Sequence, residues 1–145
     1  MVKNLHGQKN LYYQVNATYY SALGESDEKM LLARAIQMFM PGKPQIWYLD
    51  LFAGKNDHEA VQRAGESGHK EINRTNISVD QIAEGLKKDV VQKQLALIRM
   101  RNTHKAFSEG AEVTISGEES SLEIRWEYNS AFATLYVNFE SGTYT

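Results

Sequence analysis

The fold is decided by the stretch Phe39-Met40-Pro41-Gly42-Lys43-Pro44-Gln45-Ile46-Trp47-Tyr48-Leu49-Asp50. Met40 precedes a proline, which disfavours helical backbone, so a helix is expected to end there. Pro41-Gly42 indicates a turn, and Pro44 can begin a strand because the first strand residue need not donate a ladder hydrogen bond. Residues 46–49 are apolar without alternation, which is typical of a strand covered on both faces in a parallel sheet or barrel. We therefore predict a strand over residues 44–49 that needs neighbouring strands.

Helices are predicted on both sides of this strand. Residues 27–40 form one, because apolar residues recur at three- and four-residue intervals and Ser26 or Asp27 can cap it. Ser78 and Gln81 form a capping-box pair that begins a short helix to about residue 86. A longer helix is predicted over residues 89–107, with Asp89 as a possible cap. Two stretches, 1–24 and 51–77, have no clear periodicity and are expected to be irregular.

The period of the apolar residues changes to two from residue 111 onward. The apolar residues that alternate with other side chains are Val113, Ile115, Leu122, Ile124, Trp126, Ala133, Leu135 and Val137. This alternation predicts an antiparallel meander with one buried face, and Asn129-Ser130 is its predicted two-residue turn. The predicted domain boundary therefore lies near residue 110.

Composition excludes several classes of function. The chain has 145 residues, is 42% hydrophobic and 23% charged, and carries a formal net charge of −2, which fits one globular domain with a core. It has no basic stripe of the kind that binds nucleic acid and no apolar run of about 18 residues that could span a membrane. Cysteine is absent, so no thiol nucleophile or cysteine zinc site is expected. We expect a cytoplasmic protein that binds neither nucleic acid nor membrane.

Single motifs point to no chemistry of their own. Gly54-Lys55 lacks the first glycine and the hydroxyl residue of a phosphate loop, and the four histidines have no metal-ligand spacing. We therefore predict no metal and no cofactor. The tyrosines can stack on a sugar or base, or pack beneath a loop; they are Tyr12, Tyr13, Tyr19 and Tyr20. On composition alone Arg74 is a solvated arginine.

Several separate segments nevertheless resemble, in order and approximate spacing, those of sucrose phosphorylases and close relatives. They are YQVNATYYSALG at 13–24, ARAIQ at 33–37, PGKPQIWY at 41–48, AGKND at 53–57 and INR at 72–74. These enzymes belong to the α-amylase-like glycoside hydrolases. The resemblance implies an α/β fold plus an all-β part: the end of a (β/α)8 barrel, then a small and incomplete antiparallel β domain. Residues 27–40 would be helix seven, 44–49 strand eight and 89–107 helix eight. Residues 1–110 would be the C-terminal portion of the barrel, and 111–145 the β domain.

The resemblance also implies an activity for the parent enzyme. It would transfer glucose from sucrose or a related glucoside to inorganic phosphate with retention, giving α-glucose 1-phosphate. The nucleophile, the acid/base and the stabilising aspartate would all lie upstream, so the chain alone is expected to be inactive.

Three residues are implied to touch substrate. Arg74 would contact the glucose, while Tyr13 and Gln14 would help to form the acceptor site. Leu11 stands where the family has an aspartate that engages fructose. Leucine cannot accept a hydrogen bond from a hydroxyl, so glycerate, glycerol or a phosphorylated sugar is a reasonable alternative acceptor.

Two other interpretations of the function of the chain remain open. It could be a non-catalytic carbohydrate-binding or assembly module, with Tyr12 or Tyr13 at the contact. It could also be a segment that supports a barrel encoded elsewhere. In a fragment without its barrel partners, exposed barrel-core faces could bring copies of the chain together as a homo-oligomer.

Overall fold

The computed structural model describes residues 15–145, with the helices first and the strands last. The helices are α1 (Tyr19–Ala22), α2 (Asp27–Phe39), α3 (Tyr48–Leu51), α4 (His58–Ala64), α5 (Val79–Gly85) and α6 (Asp89–Thr103), with 3-10 segments at Gly65–Asn73 and Lys105–Phe107. The strands are β1 (Glu112–Glu118), β2 (Ser121–Tyr128), β3 (Ala131–Asn138) and β4 (Thr143–Tyr144). None of the helices in this described range is long and apolar enough to cross a lipid bilayer.

Helix α2 confirms the predicted start and end. The Ser26 hydroxyl accepts the backbone N–H of Lys29 at 3.2 Å, satisfying a donor that has no partner within the helix. Met40 is extended, with φ −61° and ψ 144°, because the proline after it disfavours helical backbone. The helix buries one side, which includes Met30, Leu31, Ala35, Met38 and Phe39.

The predicted strand over residues 44–49 is not formed. Residues 43–47 have no regular secondary structure, and Tyr48–Leu51 makes a single helical turn. A strand requires a hydrogen-bonded neighbour, and the only sheet within residues 15–145 is the four-stranded one of β1 to β4. The apolar run is also only partly buried, since Leu49 is 4% exposed but Trp47 is 49% exposed.

The later helices confirm one capping prediction and correct others. The Ser78–Gln81 capping box is present, with both reciprocal hydrogen bonds. The N-cap of α6 is Lys88, without a side-chain bond, so Asp89 as the cap is wrong. Helix α6 ends at Thr103 rather than continuing to residue 107. His104 is extended there, and its Nδ1 accepts the N–H of Ala106 at 3.2 Å.

The irregular stretches also contain more structure than predicted. Helix α4 and the 3-10 segment Gly65–Asn73 lie within residues 51–77, and α1 lies within residues 1–24. Asp57 begins α4 by accepting the N–H of Ala60 at 2.8 Å. These short elements depend on caps and local bonds rather than on an apolar stripe, so periodicity alone does not reveal them.

The sheet is the predicted antiparallel meander, in the order β1-β2-β3-β4. Ile124 in the central strand β2 lies opposite Ile115 on one side and Leu135 on the other. The turn between β2 and β3 is at the predicted residues, and Asn129 has a φ of 53° there, a left-handed conformation that asparagine tolerates.

The buried face of the sheet packs on the helical part. Ile124, Trp126, Leu135 and Val137 share one core cluster with Ala35, Phe39 and Ala106. The indole N–H of Trp126 donates to the Phe39 carbonyl at 2.6 Å, and the Arg101 guanidinium lies 4.2 Å from the indole ring centre. A continuous core therefore joins the two parts, and the division at residue 110 stays a prediction.

Candidate functional site around Arg74

Arg74 follows the 3-10 segment Gly65–Asn73 and points into solvent. Its backbone N–H donates to the Glu71 carbonyl at 3.2 Å. Its guanidinium lies 3.5 Å from the Glu71 carboxylate, and about half of the side chain is exposed. An ion pair this exposed is weak, so the guanidinium can leave Glu71 for another partner.

The backbone on both sides of Arg74 is held by two aromatic side chains. The indole N–H of Trp47 donates to the Asn73 carbonyl at 2.9 Å, and the Tyr48 hydroxyl donates to the Thr75 carbonyl at 2.7 Å. The two aromatic rings contact each other, with centres 4.8 Å apart. The residues at the start of α3 thus fix the backbone of residues 73 and 75 by hydrogen bonds, and Arg74 lies between them.

Asp57 also fixes the backbone around Arg74, through bonds to Thr75 and Ile72. Its carboxylate accepts the Thr75 hydroxyl at 3.0 Å, and its backbone N–H donates to the Ile72 carbonyl at 2.8 Å. The pKa of Asp57 lies below its ordinary value because the carboxylate accepts the Ala60 N–H and, after that, the Thr75 hydroxyl. The carboxylate is therefore kept ionised, which strengthens both bonds.

Three side chains tie the backbone of residues 17–19 to this site. Asn73 Nδ2 donates to the Ala17 carbonyl at 3.2 Å. Asn56 Oδ1 accepts the N–H of Thr18 at 2.7 Å, and Asp50 Oδ1 accepts the N–H of Tyr19 at 2.7 Å. Burial raises the pKa of Asp50, although the Tyr19 N–H and the charge of Arg34 act in the opposite direction.

Of the residues predicted to touch substrate, the structure therefore places only Arg74. Tyr13 and Gln14 lie outside the described residues, as do Leu11 and Tyr12. Tyr19 and Tyr20 pack against the second core cluster, formed around Met30, Val90 and Val91. The Tyr20 hydroxyl also donates to Asp27 at 2.9 Å. For this pair the packing interpretation of the tyrosines is the correct one.

Sequence reasoning missed the residues that hold Arg74 in place. The prediction from the sequence puts Trp47 and Tyr48 in a buried strand and gives Asn56 and Asn73 no structural role. Their contacts join residues that lie 26 to 56 positions apart in the chain, so no local pattern could reveal them. Among residues 15–145, no group of three or more histidine, aspartate and glutamate side chains could hold a metal ion.

The comparisons with known proteins point to sugar phosphorylases. The chain is 52% identical to sucrose 6(F)-phosphate phosphorylase from Ilumatobacter coccineus, a match that covers 99% of this chain and 28% of that protein. It is 43% identical to sucrose phosphorylase from Agrobacterium vitis, over 92% of this chain and 27% of that protein. No protein-family model matches the chain.

A solved structure gives the same answer. The crystal structure of sucrose 6F-phosphate phosphorylase from Thermoanaerobacter thermosaccharolyticum superposes with a TM-score of 0.85 at 40% identity, over 99% of this chain and 28% of that one. The chain corresponds to the C-terminal part of sucrose phosphorylase-like enzymes and spans a little over a quarter of their length. The predicted fold class is confirmed: helices are followed by a four-stranded antiparallel sheet, consistent with a small β domain after the end of a barrel, although residues 44–49 do not form the predicted strand.

Proposed function

We propose that this chain is the C-terminal part of a retaining α-glucoside phosphorylase that makes α-glucose 1-phosphate from sucrose, or a related glucoside, and phosphate. Residues 1–110 complete its catalytic barrel and residues 111–145 begin its β domain. The reacting carboxylates belong to the part of the enzyme that precedes this chain, which is inactive on its own. The observation that carries the proposal is the match over nearly the whole chain to enzymes named for this reaction.

Arg74 is the residue of this chain that binds the transferred glucose. Support comes from the way its backbone is held by Trp47 and Tyr48 while its guanidinium stays exposed. A planar guanidinium with a fixed base makes directional hydrogen bonds to sugar hydroxyls, which a flexible lysine cannot reproduce. The weak ion pair to Glu71 keeps the group oriented until the sugar replaces it.

Tyr13 and Gln14 form part of the acceptor site in this proposal. Asn73, next to Arg74, is bonded to the carbonyl of Ala17. The segment of residues 13–24, which resembles that of sucrose phosphorylases, is thereby connected to the neighbour of Arg74 at Ala17. The relatives are named for sucrose and for sucrose 6(F)-phosphate, so a phosphorylated sugar is a candidate acceptor alongside fructose.

A segment exchange tests this function directly. The equivalent segment of the Ilumatobacter enzyme is replaced by residues 1–145, and release of glucose 1-phosphate is measured with sucrose or sucrose 6(F)-phosphate and inorganic phosphate. We expect the hybrid to turn over and the isolated chain to give no product. A folded hybrid without turnover, together with saturable sugar binding by the isolated chain, would favour a carbohydrate-binding module instead.

Two matched variants of the hybrid test the role of Arg74. Arg74→Lys should lower kcat/KM for the glucoside at least about tenfold, because the guanidinium fork is lost while the charge stays. Arg63→Lys is the control, since Arg63 is also exposed and also lies 3.5 Å from a glutamate. It should change kcat/KM by less than about twofold, in line with the small value of exposed pairs. Equal effects from the two variants would remove Arg74 from the site.

A further inference from the structure

Arg34 is a buried arginine that no sequence motif assigned to the site. It lies on α2, is 2% exposed, and is the largest of the fully buried side chains among the described residues. Burial lowers its pKa from the ordinary arginine value, and the negative charge of Asp50 partly offsets this. Its Cζ lies 5.3 Å from the centre of the Tyr19 ring, a distance at which a cation is attracted to an aromatic face.

Arg34 donates to two glutamines. Its Nε donates to Gln94 Oε1 at 2.9 Å, and its Nη1 donates to Gln37 Oε1. Gln94 is 0% exposed, so it has no water to bond with instead. Arginine has no acceptor atom, so both glutamines must turn their carbonyl oxygens toward it. Their amide nitrogens then point the other way.

Those amide nitrogens hold the two ends of one backbone segment. Gln37 Nε2 donates to the Gln45 carbonyl at 2.9 Å, and Gln94 Nε2 donates to the Leu51 carbonyl at 2.9 Å. Trp47 and Tyr48 lie between these two attachment points. These two side chains donate the hydrogen bonds that hold the backbone on either side of Arg74. Two sets of hydrogen bonds, joined by the backbone of residues 45–51, therefore connect Arg34 with the candidate site.

Stability alone does not explain an arginine at this position. Its Nη2 is buried and has no hydrogen-bond partner among residues 15–145, and an unsatisfied buried donor is costly. A methionine of similar length would avoid the cost of this unpaired donor, and the bond that it would remove is the one to the buried Gln94 oxygen. The side chain is better explained by the orientation that it imposes on Gln37 and Gln94.

We propose that Arg34 is a positioning residue which, through Gln37 and Gln94, sets the segment of residues 45–51 so that Trp47 and Tyr48 hold Arg74 in its binding position. The structural part of this proposal concerns only described residues of this chain. Its consequence for glucose binding rests on the proposed function of Arg74. The two parts are therefore tested separately.

The structural part is tested on the 145-residue chain by NMR of its two tryptophan indole protons. Trp47 reports the segment, because its indole bonds to Asn73. Trp126 reports the fold, because its indole is buried and bonds to Phe39. In Arg34→Met we expect water exchange of the Trp47 indole proton to rise at least about fivefold, as for a lost hydrogen bond, and the Trp126 proton to stay within about twofold. Arg99→Met, an exposed change on α6, should move neither signal.

An unchanged Trp47 signal in Arg34→Met would overturn the proposal. Equal changes at both indoles would also overturn it, because Arg34 would then support the fold as a whole. Arg34→Lys should leave the Trp47 signal close to that of Arg34→Met, since an ammonium lacks the fork that engages both glutamines.

A double-mutant cycle in the hybrid enzyme covers the case in which Arg34→Met does not fold. Arg34→Lys and Tyr48→Phe are made singly and together, and kcat and KM for the glucoside are measured. If Arg34 acts through Tyr48, its effect on kcat/KM should shrink by more than about half when Tyr48 is already phenylalanine. Additive effects would refute the connection. If the hybrid has no turnover at all, the proposed function fails, while the indole measurement still decides the structural part.

Discussion

Replacing Trp126 by phenylalanine tests whether the stability of the chain depends on one buried contact between the sheet and the helical part. The change removes the indole N–H that donates to the Phe39 carbonyl at 2.6 Å. It keeps an aromatic ring that can still contact Phe107, whose ring centre lies 5.4 Å away. The Phe39 carbonyl, at the end of α2, would then be buried without this partner.

The expected loss of stability is about 3 kcal/mol. Leaving a buried carbonyl unsatisfied costs about 1–3 kcal/mol. Weakening the contact with the Arg101 guanidinium, now 4.2 Å from the ring centre, adds about 0.5–1 kcal/mol. The smaller ring also buries less apolar area. For a chain of this length, 3 kcal/mol corresponds to a fall in Tm of about 10 °C.

Trp47→Phe is the matched control for this measurement. It also removes an indole N–H that donates to a backbone carbonyl, that of Asn73, at 2.9 Å. Trp47 is 49% exposed against 7% for Trp126, so water can replace the lost donor. The control should therefore lose less than about 1 kcal/mol.

Urea unfolding followed by circular dichroism at 222 nm measures both variants without relying on tryptophan fluorescence. We expect a lower midpoint with an unchanged slope for Trp126→Phe, because a change of stability alone leaves the slope unchanged. Equal losses in the two variants would refute the reasoning, since burial would then not decide the cost. A separate early transition of the sheet would show that the shared core does not couple the two parts.

Three further changes test local features. Ser78→Ala removes one half of the capping box and should cost about 1 kcal/mol, seen as faster amide exchange confined to α5. Gly85→Ala places a methyl group 2.6 Å from the Phe52 ring and should lower Tm by several degrees, as overpacking costs about 1–3 kcal/mol. The folded-state pKa of Asp57 is lowered, so its contribution is present above its unfolded-state pKa and is lost as the pH falls through its folded-state pKa. The wild type should therefore lose its advantage over Asp57→Asn as the pH falls below about 4, the ordinary pKa of an aspartate, and a constant difference in urea midpoint would contradict the bonds of the ionised Asp57 carboxylate to Ala60 and Thr75.

Elements with local signals could be predicted from the sequence. The Ser26 cap, the extended Met40 before proline and the Ser78–Gln81 capping box each depend on neighbours within four residues. The alternation from residue 111 onward predicted the sheet, because a shift of one residue would expose Ile124 and Leu135. Both are nearly inaccessible in the structure.

Residues 44–49 show where local reasoning fails. An apolar run without alternation indicates burial on two faces, but it does not say which groups will bond to the backbone. Here the Gln45 and Leu51 carbonyls are bonded by glutamine side chains from α2 and α6. Those contacts depend on how the helices pack, which no spacing within the segment contains.

The arrangement of polar contacts around Arg74 has a consequence for how the site can be altered. The Asn73 and Thr75 carbonyls each accept from a different aromatic side chain, and the Thr75 hydroxyl donates to Asp57. These bonds fix the backbone of residues 73–75 and do not involve the side chain of residue 74. The one ion pair that Arg74 makes among the described residues, with Glu71, is exposed to solvent. Substitutions at residue 74 should therefore change binding while leaving the fold intact, whereas substitutions at Trp47 or Tyr48 should change binding through the position of the backbone of residues 73–75.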